Sequence, residues 1–485
     1  MSADHEHYKW WALSCTSLGM LLATVNSGTL VIALPNLEQA LHVDLLTLVW
    51  VILAYMIAST VLVLTFGRLS DVFGRKKAYV AGFLIFSVTS LGAGFASGGT
   101  DLIIWRVAQG IGAALIFANG SALVTDAFPR EQLGVAMGTN VMVAAVGLVL
   151  GPVLGGLLVE ISWHWVFWFN VPFGLLGSAW AALVLRELVR PEGERGFDWL
   201  GTVTFVIGLT GLTYGISRGG MVSWNDPQTF VPIIAGVVLL PLFVLVEARA
   251  KAPMLDLSLF RDRGFSSATA ASFIAGLSRF SLTFVFVLYF QGALGNDPIL
   301  AGVKLAPLAV GMLISSPLAG RWADRHGART LAALGLFVAA VGTAGMTMLD
   351  TETAYAITAG WLFLTGIGSG MFNSPNTAAM MGAVPVHRRG IAAGTRMMLQ
   401  NTGSVLSIAM LLAIVTSAVP TATLLGIFSG VRTGVSDATL APFIHNLHIA
   451  MWVLAGTSVV GAFVSLLRPS NANVRAEVAV ADAHR

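Results

Sequence analysis

The chain has 485 residues, of which 56% are hydrophobic and only 11% charged. A soluble domain carries about 25% charged residues, so apolar runs of about 20 residues, repeated along the chain, make the bilayer the solvent. The formal charge of +3 comes with no basic face for nucleic acid, and the single Cys15 excludes an internal disulfide and argues against a thiolate metal centre.

Met1 to Lys9 is short and polar. The run 10–34 is too long for a signal peptide and lacks a cleavage pattern, so it reads as a first span. Hydropathy places five more spans near 46–66, 78–98, 102–124, 135–159 and 166–186. Two follow near 199–217 and 230–248, and a last six near 267–291, 299–319, 330–349, 354–374, 391–414 and 446–468. Connectors such as Arg190 to Arg195 and Glu247 to Arg263 are too short for separate soluble domains, and Asn471–Arg485 reads as a disordered polar tail. With the N-terminus inside, 21 of the 27 Lys and Arg fall on inner loops or tails, and only Arg218 and Arg432 on outer loops. That is the positive-inside bias, and an even span count returns the C-terminus to the same cytoplasmic side.

The chain repeats itself. Gly67-Arg68-Leu69-Ser70-Asp71-Val72-Phe73-Gly74-Arg75 is echoed by Gly320-Arg321-Trp322-Ala323-Asp324-Arg325-His326-Gly327, 320 − 67 = 253 residues on. Gly110, Gly112, Ala127, Pro129, Gly134 and Gly138 recur as Gly366, Gly368, Ala383, Pro385, Gly390 and Gly394, each 256 residues on. Six-helix halves alone would give a smaller offset, and two inserted spans make up the rest. The expected fold is an all-α polytopic 6+2+6 bundle of fourteen helices in two pseudo-symmetric halves, with the substrate site near the midplane between them. Its expected units are 1–187, an inserted pair over 188–250, 251–469, and a cytoplasmic tail over 470–485.

In the first loop Gly67 is placed to end a helix and Gly74 to make the turn. Asp71 is placed near the start of the third span, where the helix dipole favours negative charge. Arg75, Lys76 and Lys77 suit anionic headgroups, and a topogenic loop would need no more than that. Gly147, Gly151 and Gly155 share one helix face for close backbone approach, with Pro152 and Gly156 beside them; ordinary small-residue packing accounts for most such strings. Arg106 lies one to two turns inside its span, costly unless paired or hydrated, with snorkelling as the plain alternative.

The paired loops resemble the cytoplasmic loop motif of the major facilitator superfamily, in which Asp and Arg lock the halves in one access state. This resemblance assigns gating to Gly67, Asp71, Gly74, Arg75, Gly320, Asp324 and Arg325. The string Gly147-x-x-x-Gly151-Pro152-x-x-Gly155-Gly156 resembles the antiporter motif of that superfamily's drug exporters. Trp163-His164-Trp165 to Asn170-Val171-Pro172 resembles the fourteen-span drug:proton antiporter branch, with His164 where Arg is usual. Arg106-Val107-Ala108-Gln109-Gly110 resembles the fourth-span motif.

Asn26 departs from the pattern, since many relatives have Asp there. No Asp or Glu sits clearly at mid-span, so proton coupling falls to Glu160 first and Asp126 second, although an ordinary helix-end carboxylate explains Glu160 equally. Arg279 falls near mid-span, and Lys304 and Arg396 in early turns of theirs. Either Arg279 pairs with backbone carbonyls, or the cavity favours anionic or neutral amphipaths over cations. Asn119, Asn373, Asn376, Gln400 and Asn401 suit either substrate or helix–helix hydrogen bonding, and Met371, Met380, Met381, Met397 and Met398 either an adaptable pocket or bulk.

The resemblance implies a proton-coupled exporter of amphipathic small molecules in the cell membrane, working by alternating access. Alternatives are a dedicated exporter of one metabolite or lipid, and a carrier-shaped binding or sensing protein. No nucleotide-binding P-loop is present, so ATP bound to this chain cannot drive transport. No enzyme activity, cofactor, metal or nucleic-acid partner is expected.

Overall fold

The computed structural model describes residues 3–129, 132–187, 198–250, 253–384, 389–417 and 437–469. The side chains of Asp71, Arg279 and Asp324 lie outside that description, as do the 188–197 connector, most of the 415–445 segment and the tail from Ser470.

The described residues form fourteen membrane-length helices. In chain order they are α1 Ala3–Leu41, α2 Leu45–Phe73, α3 Arg75–Ala93, α4 Gly99–Ala127 and α5 Leu133–Ile161. α6 Asn170–Val184 follows a one-turn helix, Trp165–Trp168. The inserted pair is α7 Trp199–Met221 and α8 Pro227–Arg249. The second half holds α9 Arg263–Val287, α10 Pro298–His326, α11 Ala328–Gly345, α12 Tyr355–Gly382, α13 Arg389–Thr416 and α14 Asp437–Leu466. α9 runs on as a π-turn, Leu288–Ala293. Thirteen spans are long and apolar enough to cross a membrane on composition alone. The fourteenth, α3, has 19 residues and opens on Arg75, Lys76 and Lys77; its length of about 28 Å still matches the hydrocarbon core.

Helix starts are set locally. Asp44, Asp198, Asp226, Asp262 and Asp297 cap α2, α7, α8, α9 and α10, each accepting from a backbone N–H of the first turn. Arg218 donates to Asp226 at 2.7 Å, and this hydrogen bond holds the Asp226 carboxyl below its usual range.

The repeat is visible in the packing. A Cβ built on Gly110 of α4 would lie 2.8 Å from the Tyr55 carbonyl oxygen of α2, and its counterpart Gly366 of α12 presses on Leu308 and Met312 of α10. Gly112 packs against α3 at Phe86, and Gly368 against α11 at Ala339. The same two glycines thus fit the same helix crossings in both halves.

The inserted pair sits at the edge. α7 touches both halves: Thr202 lies 3.4 Å from Thr65 of α2, and Thr416 of α13 donates to the Gly220 carbonyl at 2.9 Å. α8 has only 17% of its apolar window buried, so it faces lipid.

The two loop motifs join helices at one end of the bundle, here the basic end; the opposite is the far end. Here the structure corrects the expected loop. Gly67 does not end a helix, because α2 continues through it to Phe73; Gly74, at φ +104°, is the turn. In the second copy Gly320 likewise lies inside α10 and Gly327, at φ +91°, turns the chain. Both positions need the left-handed freedom of glycine.

Candidate functional site

The halves meet along α5–α10 and α2–α13, and the glycine string of α5 serves two partners. A Cβ on Gly151 would lie 2.9 Å from the Gly28 Cα of α1, and one on Gly155 would lie 2.7 Å from the Thr29 Cα. These contacts, with Gly147 against Thr24, hold the first half together. Gly156 faces the other way: its Cβ would lie 2.7 Å from the Ile299 Cα of α10. Gly302 of α10 answers, with a Cβ position 2.5 Å from the Pro152 carbonyl oxygen. At the same end Gln291 donates to the Ile32 carbonyl at 3.3 Å, and Leu30 to Leu34 are all but inaccessible. The far end is therefore sealed by backbone against backbone.

Below that seal lies a cavity of about 250 Å³, lined by both halves. Its far-end limits are Val31 of α1 and Thr283 of α9; towards the basic end it reaches Phe117, Thr377 and Arg396. Among the described residues that line it there is no carboxylate, and Arg396 is the only charged one.

Arg106 is not in that lining. It is 1% exposed, behind Tyr55, whose ring does line the cavity. Its Nε donates to the Val51 carbonyl at 2.9 Å, an Nη donates to Gln109, and the guanidinium carbon sits 4.3 Å from the Tyr55 ring centre. Snorkelling is thereby excluded. Gln109 passes the network to Ser90 at 2.7 Å and to Asn26 at 3.3 Å, and Asn170 also donates to Asn26, at 3.2 Å. Asn26 thus ties α1 to α4 and α6, and it is not among the described residues that line the cavity.

The remaining expected cavity residues divide. Asn373, Gln400 and Asn401 line the cavity. Asn119 is buried outside the lining and donates to the Leu115 carbonyl of its own helix. Asn376 joins helices, donating to the Ala268 carbonyl and Ser272 and accepting from Arg468. Of the methionines named from sequence only Met397 lines the cavity; Met20, Met56 and Met312 do so instead. Lys304 donates to Asn296 at 2.7 Å and lies over Phe290 and Tyr355.

At the basic end Arg75 and Asp126 form an ion pair at 2.6 Å between α3 and the end of α4. Asp126, a coupling candidate on sequence, therefore stands opposite a fixed cation. The N-terminus of α3 is capped by Glu187, which accepts from the backbone N–H of Arg75 at 2.8 Å and of Lys76 at 3.1 Å. Asp71, placed there on sequence, belongs instead to the last turn of α2. Arg325 is exposed at the end of α10. Glu160 is exposed at the far end of α5, outside the cavity. Sequence reading missed Glu187 because its partners are 111 and 112 residues away. It also missed Glu247, buried near the basic end of α8 and accepting from the Leu255 N–H at 2.8 Å.

Comparison with known proteins agrees with this architecture. The family model described as Major Facilitator Superfamily matches residues 16–408 and 268–481. The chain is 30% identical over 402 residues to the multidrug resistance protein Stp of Mycobacterium tuberculosis, covering 82% of this chain and 74% of Stp. It is 30% identical over 409 residues to the tetracenomycin C resistance and export protein of Streptomyces glaucescens, covering 83% and 75%. Among solved structures, a bacterial homolog of the human lysosomal transporter Spinster superposes with a TM-score of 0.65 at 14% identity, covering 96% of this chain and 98% of that one.

Proposed function

Since the chain belongs to the Major Facilitator Superfamily of membrane transporters, we propose that it exports amphipathic small molecules by alternating access, in exchange for protons. The observation that carries the reading is the cavity between the halves, sealed at one end where Gly156 of α5 meets Ile299 and Gly302 of α10 meets Pro152, and lined by four Met, Phe117 and small polar groups among others. A seal made of two close-packed helices parts as a unit when the halves rock, which exposes the cavity to the other side. Positive-inside bias makes the basic end cytoplasmic, so in this reading the sealed end is the outer one. The multidrug resistance and tetracenomycin export proteins among the relatives support export over uptake.

Proton exchange enters through the resemblance of the α5 glycine string to antiporters. Among the described residues the cavity lining offers no carboxylate, so this reading places the proton carrier outside it. Asp126 is better placed than Glu160, because its partner Arg75 belongs to the gating loop, whereas Glu160 is exposed at the far end. Transport into inverted membrane vesicles, with and without an imposed pH gradient, tests direction and coupling together. Uptake that ignores the gradient removes antiport from this reading. Binding without any uptake replaces export by a sensing role.

A further inference from the structure

The cavity wall is chemically lopsided. On the first-half side it presents Met20, Met56, Phe117 and Leu148, with hydroxyls from Thr24, Ser27, Tyr55 and Ser59 but no amide or charge. On the second-half side α13 presents Arg396, Gln400 and Ser404, spaced four residues apart and so on one helix face, with Asn401 beside them. Asn373 and Thr377 of α12 extend this polar strip. Arg396 donates to Gln400 at 2.7 Å, one turn along, which steers the guanidinium along the cavity wall.

We propose that this cavity selects amphipathic organic monoanions, aromatic carboxylates being the simplest class. The carboxylate docks on Arg396 and the Gln400–Asn401 amides, and the apolar body lies on Met20, Met56 and Phe117. The inference rests on the proposed transport cavity and adds the charge class of what it takes. Guanidinium presents paired N–H donors in a plane that matches a carboxylate. A lipophilic cation would bring like charge beside Arg396 in a site of low dielectric, where no described lining residue is a carboxylate. Two other deep cations whose side chains are described do not compete for this role. Arg106 is screened behind Tyr55 with its donors engaged, and Lys304 lies outside the lining, held by Asn296. The methionines supply a surface that adapts to different rings, so selectivity falls on the charge and not on the shape of the apolar part.

The test uses the full chain in lipid nanodiscs and three naphthyl compounds with one ring and matched tails ending in a carboxylate, an alcohol or a trimethylammonium. Equilibrium dialysis against empty nanodiscs gives the three affinities. The carboxylate is expected to bind tightest and the ammonium weakest. Arg396→Gln should weaken the carboxylate by about tenfold or more while leaving the alcohol unchanged, as the loss of a charge-assisted hydrogen bond requires. Arg396→Lys should keep part of the preference, and unaltered alcohol binding certifies that each variant is folded. Tightest binding of the ammonium compound, or a carboxylate affinity that Arg396→Gln does not change, overturns the proposal. Charge-ordered binding with no uptake into vesicles leaves the anion site standing and defeats only the export reading.

Discussion

Replacing Gly302 by alanine should open the far-end seal. The added Cβ would lie 2.5 Å from the Pro152 carbonyl oxygen, 2.6 Å from its carbon and 2.9 Å from the Val153 nitrogen. All three are backbone atoms of α5, so no side-chain rotation relieves the clash; α10 and α5 must separate. Overpacking of this kind costs about 1–3 kcal/mol. Because α5 and α10 belong to different halves, that cost falls on the sealed state alone. It shifts the balance between access states by roughly 5- to 150-fold towards the far-end-open form. The readout is a cysteine at Ile32, which is fully buried in the seal, introduced into a Cys15→Ala background. A membrane-impermeant maleimide added from outside should label Ile32→Cys slowly in the parent and at least several-fold faster with Gly302→Ala. Gly155→Ala is the control. Its Cβ would lie 2.7 Å from the Thr29 Cα and carbonyl oxygen, but α1 and α5 belong to the same half. It should lower the thermal stability of the solubilised protein without speeding the labelling. Equal labelling of Ile32→Cys with and without Gly302→Ala, in correctly inserted protein, refutes the assignment of Gly302 to the seal.

Asp126→Asn should slow vesicle transport while the protein inserts normally, since it removes one charge of the 2.6 Å pair with Arg75; a double-mutant cycle with Arg75→Gln should show coupling of about 0.5–3 kcal/mol in transition-state terms, and additive losses would deny that the pair acts as a unit. Gly74→Ala should destabilise the protein more than Gly67→Ala, as read by thermal melting in detergent. Gly74 combines φ +104° with a Cβ position 2.7 Å from the Glu187 carboxylate, whereas a Cβ on Gly67 meets nothing nearer than 3.9 Å. For topology, maleimide added outside intact cells should label Ser223→Cys, in the exposed α7–α8 turn, and spare Ser258→Cys at the basic end; the reverse pattern would invert the orientation.

The fourteen spans and the 6+2+6 duplication are legible in the residues alone, because each follows from local composition or from a repeated spacing. A span needs only enough apolar length, and the 256-residue register of Gly110 with Gly366 survives without reference to packing. The loop motif was legible as a motif but not in its geometry. Gly67 and Gly74 look alike in sequence, yet only the backbone at Gly74 turns left-handed, and the carboxylate at the head of α3 comes from Glu187, on the far side of three intervening helices. The glycine string of α5 shows the same limit. Spacing puts Gly147, Gly151 and Gly155 on one face, but which helix fills that face, and that Gly156 turns instead to the other half, depends on how α1 and α10 are set around α5. Charge in the cavity was decided last. Arg106, Arg279, Lys304 and Arg396 are all basic residues in apolar runs. Only the rotation of α13 about its own axis brings Arg396 to the cavity wall, while the rotation of α4 turns Arg106 into the carbonyl of Val51 behind Tyr55. Composition fixes that a helix crosses the bilayer; the face it shows its neighbours is set by the packing of all the others.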